Sequence, residues 1–159
     1  MKIEKGNQAP DFSLFDTDKN KVTLSGFKDK NVLLLFFPQA FTGVCTSELC
    51  AVRDDISRYN KVDAEIIGIS VDSVFTLRKY KQDQQYNFLL LSDFNKEVSA
   101  LYGCLYNNWI LDMNGVSKRA AFIIDKQNIV KYAEVLESAD DMPDFKAINE
   151  TLAALPRLN

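Results

Sequence analysis

Asp11-Phe12-Ser13-Leu14-Phe15-Asp16 and Lys21-Val22-Thr23-Leu24 alternate between apolar and polar positions on either side of Asp18-Lys19-Asn20. Two such runs around turn-forming residues predict a β-hairpin. Asn31-Val32-Leu33-Leu34-Leu35-Phe36-Phe37 is then almost continuously apolar and stops at Pro38. A central strand covered on both faces reads this way, so the densest part of the core belongs here. Beyond it, Leu49, Val52, Ile56 and Tyr59 recur at steps of three and four. That spacing is one face of an amphipathic helix, with Cys45 at its start.

Ala64 to Val71 predicts another buried strand, followed by a polar helix around Thr76 to Gln85 and a short strand Phe88 to Leu91. A helix near Glu97 to Tyr102 leads to a second hairpin, in which Ala120–Asp125 and Ile129–Leu136 flank the turn Lys126-Gln127-Asn128. Pro143 suits the first turn of a closing helix through Ala147, Ile148, Leu152 and Leu155. Strands alternating with helices in the centre, with hairpins near both ends, imply an α/β fold: a central mixed sheet flanked by helices, thioredoxin-like, with an N-terminal β-hairpin. No repeat, low-complexity tract or linker interrupts the 159 residues. One domain over residues 1–159 is expected.

Apolar residues make up 47% of the chain and the formal net charge is −3. With both signs scattered, no basic stripe offers itself to nucleic acid or anionic lipid. The first eight residues, Met1 to Gln8, lack the apolar core of a signal peptide, and no apolar run approaches a membrane span. A cytoplasmic protein is expected. There, three cysteines are not a structural disulfide framework, which leaves packing, metal binding or catalysis. Histidine is absent, which removes the commonest metal ligand and the commonest general base together.

Cys45 sits where a loop leaves a buried strand and enters a helix, the place where open α/β sheets bind ligands. The positive end of a helix stabilises an anion, and thiols so placed have pKa values lowered to roughly 3.5–7.5. Cys45 could equally be a small buried hydrophobe. Its neighbours point to chemistry, because Pro38, Thr42 and Cys45 form the pattern Pro-x-x-x-Thr-x-x-Cys. Pro38 can shield a thiolate without offering a competing N–H, and the Thr42 hydroxyl can both donate and accept a hydrogen bond.

This pattern resembles the signature of the peroxiredoxins. The resemblance runs from about Ala9-Pro10-Asp11-Phe12 to the last helix. It includes Phe36-Phe37-Pro38, Phe41-Thr42-Gly43-Val44-Cys45, Glu48, Leu91-Ser92-Asp93 and Arg119-x-x-Phe122-Ile123-Ile124-Asp125. It implies a thiol-dependent peroxidase without cofactor or metal, acting on hydrogen peroxide and organic hydroperoxides. Cys45 would be the peroxidatic cysteine, Thr42 the residue that hydrogen-bonds the peroxide, and Arg119 the cation stabilising thiolate and transition state. Pro38 would close off the pocket. Glu48 either orients Arg119 through a bidentate pair or is an ordinary first-turn acid. Arg53 is at most an outer support and is equally plausible as a solvated helix arginine.

Phe-Thr-Gly-Val-Cys and Leu-Ser-Asp-Phe are similar to the AhpE-like, one-cysteine branch. The Cys45-x4-Cys50 spacing is similar instead to the bacterioferritin-comigratory or peroxiredoxin Q branch, whose downstream cysteine resolves the sulfenic acid. In a continuous helix a five-residue step separates the Cα atoms by roughly 8–9 Å. A disulfide cannot span more than about 7 Å, so resolution by Cys50 requires the first turns to unwind. Otherwise Cys50 is a packed or exposed helix thiol and an external thiol resolves Cys45. Thioredoxin-, glutaredoxin- and mycoredoxin-like donors all fit as reductants. A monomer or homodimer is implied by the resemblance.

Cys104 reads as a packing residue. Trp109, with Phe41, either walls the pocket or an interface or belongs to the core. A thioredoxin-type carrier would show Cys-x-x-Cys, a cysteine hydrolase would need a base, and three sulfurs at this spacing do not make a zinc site. A non-catalytic peroxide sensor or redox interaction protein would use the same cysteine as its detector.

Overall fold

The computed structural model describes residues 2–27 and 29–156. The first hairpin is β1 (Ser13–Asp16) with β2 (Lys21–Thr23), paired antiparallel. Its tip carries Lys19 in the left-handed region, and the Asp16 carboxylate accepts the N–H groups of Asp18 and Asn20. Next come β3 (Asn31–Phe36), α1 (Gly43–Asp54), α2 (Ile56–Lys61), β4 (Ala64–Ser70), α3 (Val74–Gln84) and β5 (Leu89–Ser92). A short α4 (Glu97–Leu101) precedes β6 (Leu105–Tyr106), β7 (Val116–Ser117), β8 (Ala120–Ile124), β9 (Val130–Val135) and the closing α5 (Phe145–Ala154).

The sheet runs β2-β1-β5-β4-β3-β8-β9. Strands β3, β4 and β5 are parallel, whereas β1 joins β5 and β8 joins β3 in the antiparallel sense. The expected mixed sheet is therefore present, with β3 inside it between β4 and β8 and buried along its whole length. Period two divides β3 between two cores. Leu33 and Leu35 pack among side chains of α1, α2, α3 and α5, including Leu49, Val52, Tyr59, Leu77, Tyr80, Ile148 and Leu152. Val32, Leu34 and Phe36 pack on the opposite face with Phe12, Val98, Tyr102, Cys104 and Phe122. No helix among the described residues is long and apolar enough to cross a membrane.

Three local expectations change. The single helix through Leu49 and Tyr59 is two, broken at Asp55 (φ −111°, ψ 19°). The Asp55 N–H bonds to the Val52 carbonyl three residues back, and its carboxylate accepts Arg58 Nε at 2.6 Å. A one-residue break leaves Leu49, Val52 and Tyr59 on the core, so the apolar period does not register it. Pro143 lies outside the closing helix, because the Asp144 carboxylate caps it by accepting the Ala147 N–H at 3.0 Å. The ladder between β6 and β7 is also new, its strands being too short to leave a period.

Candidate active site

The chain leaving the carboxyl end of β3 passes through Pro38 to Thr42 and enters α1, where Cys45 is the third residue. Thr42 is the extended N-cap, its carbonyl accepting the Thr46 N–H at 3.0 Å. Its side chain makes no capping bond and donates instead to the Gln39 carbonyl at 2.7 Å. The first-turn N–H groups of α1 are thus left without a side-chain cap beside the thiol. Pro38 is buried and Cys45 is only 1% exposed.

Arg119 reaches this helix through topology. β8 runs antiparallel to β3 with Ala120 opposite Phe36, so the residue just before β8 lies beside the chain leaving β3. Arg119 Nη2 donates to Cys45 Sγ at 3.2 Å, Nη1 donates to Glu48 Oε1 at 2.6 Å, and Nε and Nη2 both reach the Ala139 carbonyl. Glu48, three residues after Cys45, shares its helix face. Both members of the Arg119–Glu48 pair are essentially excluded from solvent.

Burial pushes the Glu48 carboxyl up to about 7, against the opposing pull of Arg119. Its second oxygen, Oε2, is buried without a hydrogen-bond partner among the described residues. Burial by itself would lower the Arg119 guanidinium, but Glu48 and Cys45 hold it above its ordinary value. A fixed cation and N–H donor at the sulfur stabilise negative charge there, which is what a nucleophilic thiolate requires.

Cys50 is on the same unbroken helix but faces elsewhere. Its thiol lies 3.5 Å from Gln84 Oε1 and 3.9 Å from the Tyr86 hydroxyl, and the three cysteines are free. Arg53 is not at the active site: it bonds to Asp54 and, at 2.6 Å, to the Gln84 carbonyl, tying the end of α1 to the end of α3. Cys104 is fully buried in the core and burial pushes its thiol up, consistent with a packing residue. Trp109 stacks on Tyr106 beside the small β6–β7 ladder. Phe41 is half exposed and packs on Tyr80, with ring centroids 4.9 Å apart.

Sequence reasoning missed three participants. Tyr80 pairs its hydroxyl with Thr46 at 2.9 Å, the Ala139 carbonyl holds Arg119, and Asp72 bonds the Ala40 N–H. Tyr80 has a faint signal, standing three residues after Leu77 on an otherwise polar helix. The Ala139 carbonyl has none.

A helix whose first turn carries a buried thiol, with an arginine aimed at that sulfur, is an arrangement that can hold a nucleophilic thiolate. Residues 5–133 match the AhpC/TSA family. Alkyl hydroperoxide reductase E of Mycobacterium tuberculosis (strain ATCC 25618 / H37Rv) is 37% identical over 156 residues, covering 96% of this chain and 98% of that protein. Chloroplastic peroxiredoxin Q of Oryza sativa subsp. japonica is 35% identical over 158 residues, covering 99% of this chain and 69% of its own. The crystal structure of peroxidoxin BcpB from Mycobacterium tuberculosis aligns with a TM-score of 0.85 at 30% identity, covering 97% of this chain and 99% of the other. The chain belongs to the AhpC/TSA family of peroxiredoxins, and its fold is theirs. It is a thiol-dependent peroxidase, using a peroxide substrate and a thiol reductant.

Proposed function

We propose that Cys45 is the peroxidatic cysteine and that Cys50 resolves it. The 3.2 Å contact from Arg119 to the Cys45 sulfur carries this reading. The thiolate attacks the OH-bearing oxygen of a hydroperoxide. A sulfur–oxygen bond forms, the O–O bond breaks, and the departing oxygen takes up a proton to leave as water or an alcohol. Cys45 becomes a sulfenic acid. Arg119 is placed to stabilise the sulfur before attack and the charge that develops during it. Because the Thr42 proton is committed to the Gln39 carbonyl, the Thr42 oxygen offers its lone pairs to the peroxide O–H. Pro38 contributes no N–H to compete for the thiolate. A thiolate attacks without a general base, so the step itself calls for no histidine.

Cys50 then attacks the sulfenic sulfur, forming the Cys45–Cys50 disulfide and releasing water. A thioredoxin- or glutaredoxin-type dithiol reduces that disulfide. Both cysteines lie on an intact helix that puts their Cα atoms roughly 8–9 Å apart, so the turns between them must unwind. Unwinding also has to break the Thr46–Tyr80 bond. The orientation of Cys50 toward Gln84 and Tyr86 supports a second reading, in which an external thiol resolves Cys45. Cys50→Ser separates the two. If Cys50 resolves, the variant reacts with the first equivalent of peroxide within about twofold of wild type, but forms no disulfide and accumulates sulfinic acid under excess peroxide. If mass spectrometry finds wild type equally free of disulfide, an external thiol does the work.

Glu48 gives the reaction a pH dependence. Above about 7 its carboxylate competes for the charge of Arg119; below, the neutral acid leaves that charge to the sulfur and departing oxygen. The peroxide rate constant should therefore carry a falling component as pH rises through about 7. Glu48→Gln keeps an acceptor for Arg119 but does not titrate, so stopped-flow profiles should lose that component. Stability follows the same sign. The folded state binds the extra proton between the ordinary carboxylate range and about 7, so stability falls as pH rises through that window and Glu48→Gln flattens the fall.

A further inference from the structure

Hydrogen bonds from three segments converge on Asp72, the second residue beyond β4. Its Oδ2 accepts the Ala40 N–H at 2.8 Å and the Ser70 hydroxyl at 2.6 Å. The Ser92 hydroxyl donates to the Asp72 carbonyl at 2.6 Å, and the Asp72 N–H lies 3.2 Å from Ser70 Oγ. The carboxyl ends of β4 and β5 thus seat one carboxylate against the loop that joins β3 to α1.

That loop has an unusual shape. Phe41 adopts φ 65°, a left-handed conformation that a bulky aromatic keeps only where its surroundings impose it. Asp72 grips the buried residue before it, Tyr80 packs on its ring, and the Thr42 hydroxyl after it is turned back to Gln39. We infer that Asp72 is a positioning residue for peroxide reduction: by accepting the Ala40 N–H it holds the Pro38–Thr42 loop in the form that presents Thr42 to the peroxide. It acts through Ala40 and Phe41 and touches no reacting atom. The inference rests on the peroxidatic reading of Cys45 and Thr42.

Without an acceptor at residue 72 the Ala40 N–H is left unpaired and Phe41 can relax, displacing Thr42 next to it. Cys45 is anchored separately, inside α1 and by Arg119. Peroxide reduction needs both residues, whereas alkylation of the same thiolate by iodoacetamide needs only Cys45. Asp72→Ala should lower the second-order rate constant for hydrogen peroxide about 10–100-fold, the scale of a small misplacement of a reacting partner. Alkylation of the Cys45 peptide, followed by mass spectrometry, should stay within about twofold of wild type, since it does not require that positioning.

Asp72→Asn retains an acceptor oxygen and should restore most of the peroxide rate. Should Asp72→Ala not fold, Ser70→Ala removes the hydroxyl that seats the same carboxylate and should show a weaker form of the same split. A peroxide rate unchanged in Asp72→Ala, a parallel fall of both rates, or an Asp72→Asn as slow as Asp72→Ala would each overturn the inference. Cys45→Ser in the same assay distinguishes the failures. If it still reacts rapidly with peroxide, the peroxidatic reading falls and Asp72 with it; if it is inert, a failure belongs to Asp72 alone.

Discussion

Arg119→Ala is expected to slow the reaction of Cys45 with peroxide by about 10²–10³-fold, the cost of removing a preorganised donor from a developing oxyanion. It should also destabilise the fold by ~3–5 kcal/mol, because Glu48 would be left as a buried carboxyl without its partner. Arg119→Lys does not repair the site. One guanidinium bridges the Cys45 sulfur, the Glu48 carboxylate and the Ala139 carbonyl, and an ammonium cannot span all three. Adding Glu48→Gln to Arg119→Ala should recover part of the stability, since the orphaned group can no longer ionise, but none of the rate. Urea denaturation and stopped-flow measurements on the same variants read the two effects separately.

Cys45→Ser should reduce peroxide turnover by about 10⁴-fold or more, the scale on which loss of a covalent nucleophile is felt. A serine hydroxyl stays protonated near neutral pH, and this chain has no histidine to activate it. Neither remaining thiol is arranged to substitute. Cys104 is sealed in the core with its ionisation suppressed by burial, and Cys50 faces Gln84 and Tyr86 without the arginine. The fold should survive, because serine is slightly smaller than cysteine and Arg119 keeps Glu48 and Ala139 as partners. Peroxide consumption with a recycling dithiol, alongside thermal unfolding, checks both halves of this expectation.

What the sequence displays of this site follows from how far apart the partners are along the chain. Pro38, Thr42 and Cys45 stand within one strand–loop–helix unit, where local spacing carries the chemistry and the apolar run of β3 marks its start. Arg119 is separated from Cys45 by 74 positions, and its place is set by the antiparallel pairing of β3 with β8. No local period encodes that pairing, so resemblance alone singled it out. Asp72 and the Ala139 carbonyl act through hydrogen bonds to backbone or side chain that leave no pattern of burial. Cys50 presents the reverse case. Its spacing from Cys45 is plain, but the direction of its thiol depends on the end of α3 and residue 86.

The fold divides in the same way. The central strand and both hairpins are written in apolar runs and turn residues, whereas the break at Asp55 and the cap at Asp144 are carboxylates bonding nearby groups within an unchanged apolar period. The two-residue strands of the β6–β7 ladder fall below the length at which alternation can be read.

Trapping the first oxidation product tests the role of Cys45 most directly. Reduced wild type and Cys50→Ser would each be treated with one equivalent of hydrogen peroxide in the presence of dimedone, then digested and mapped by mass spectrometry. The expected result is a dimedone adduct on Cys45 in Cys50→Ser, and a Cys45–Cys50 disulfide competing with that adduct in wild type. Peroxide consumed while Cys45 remains an unmodified thiol, with the adduct on Cys50 or Cys104, would contradict it.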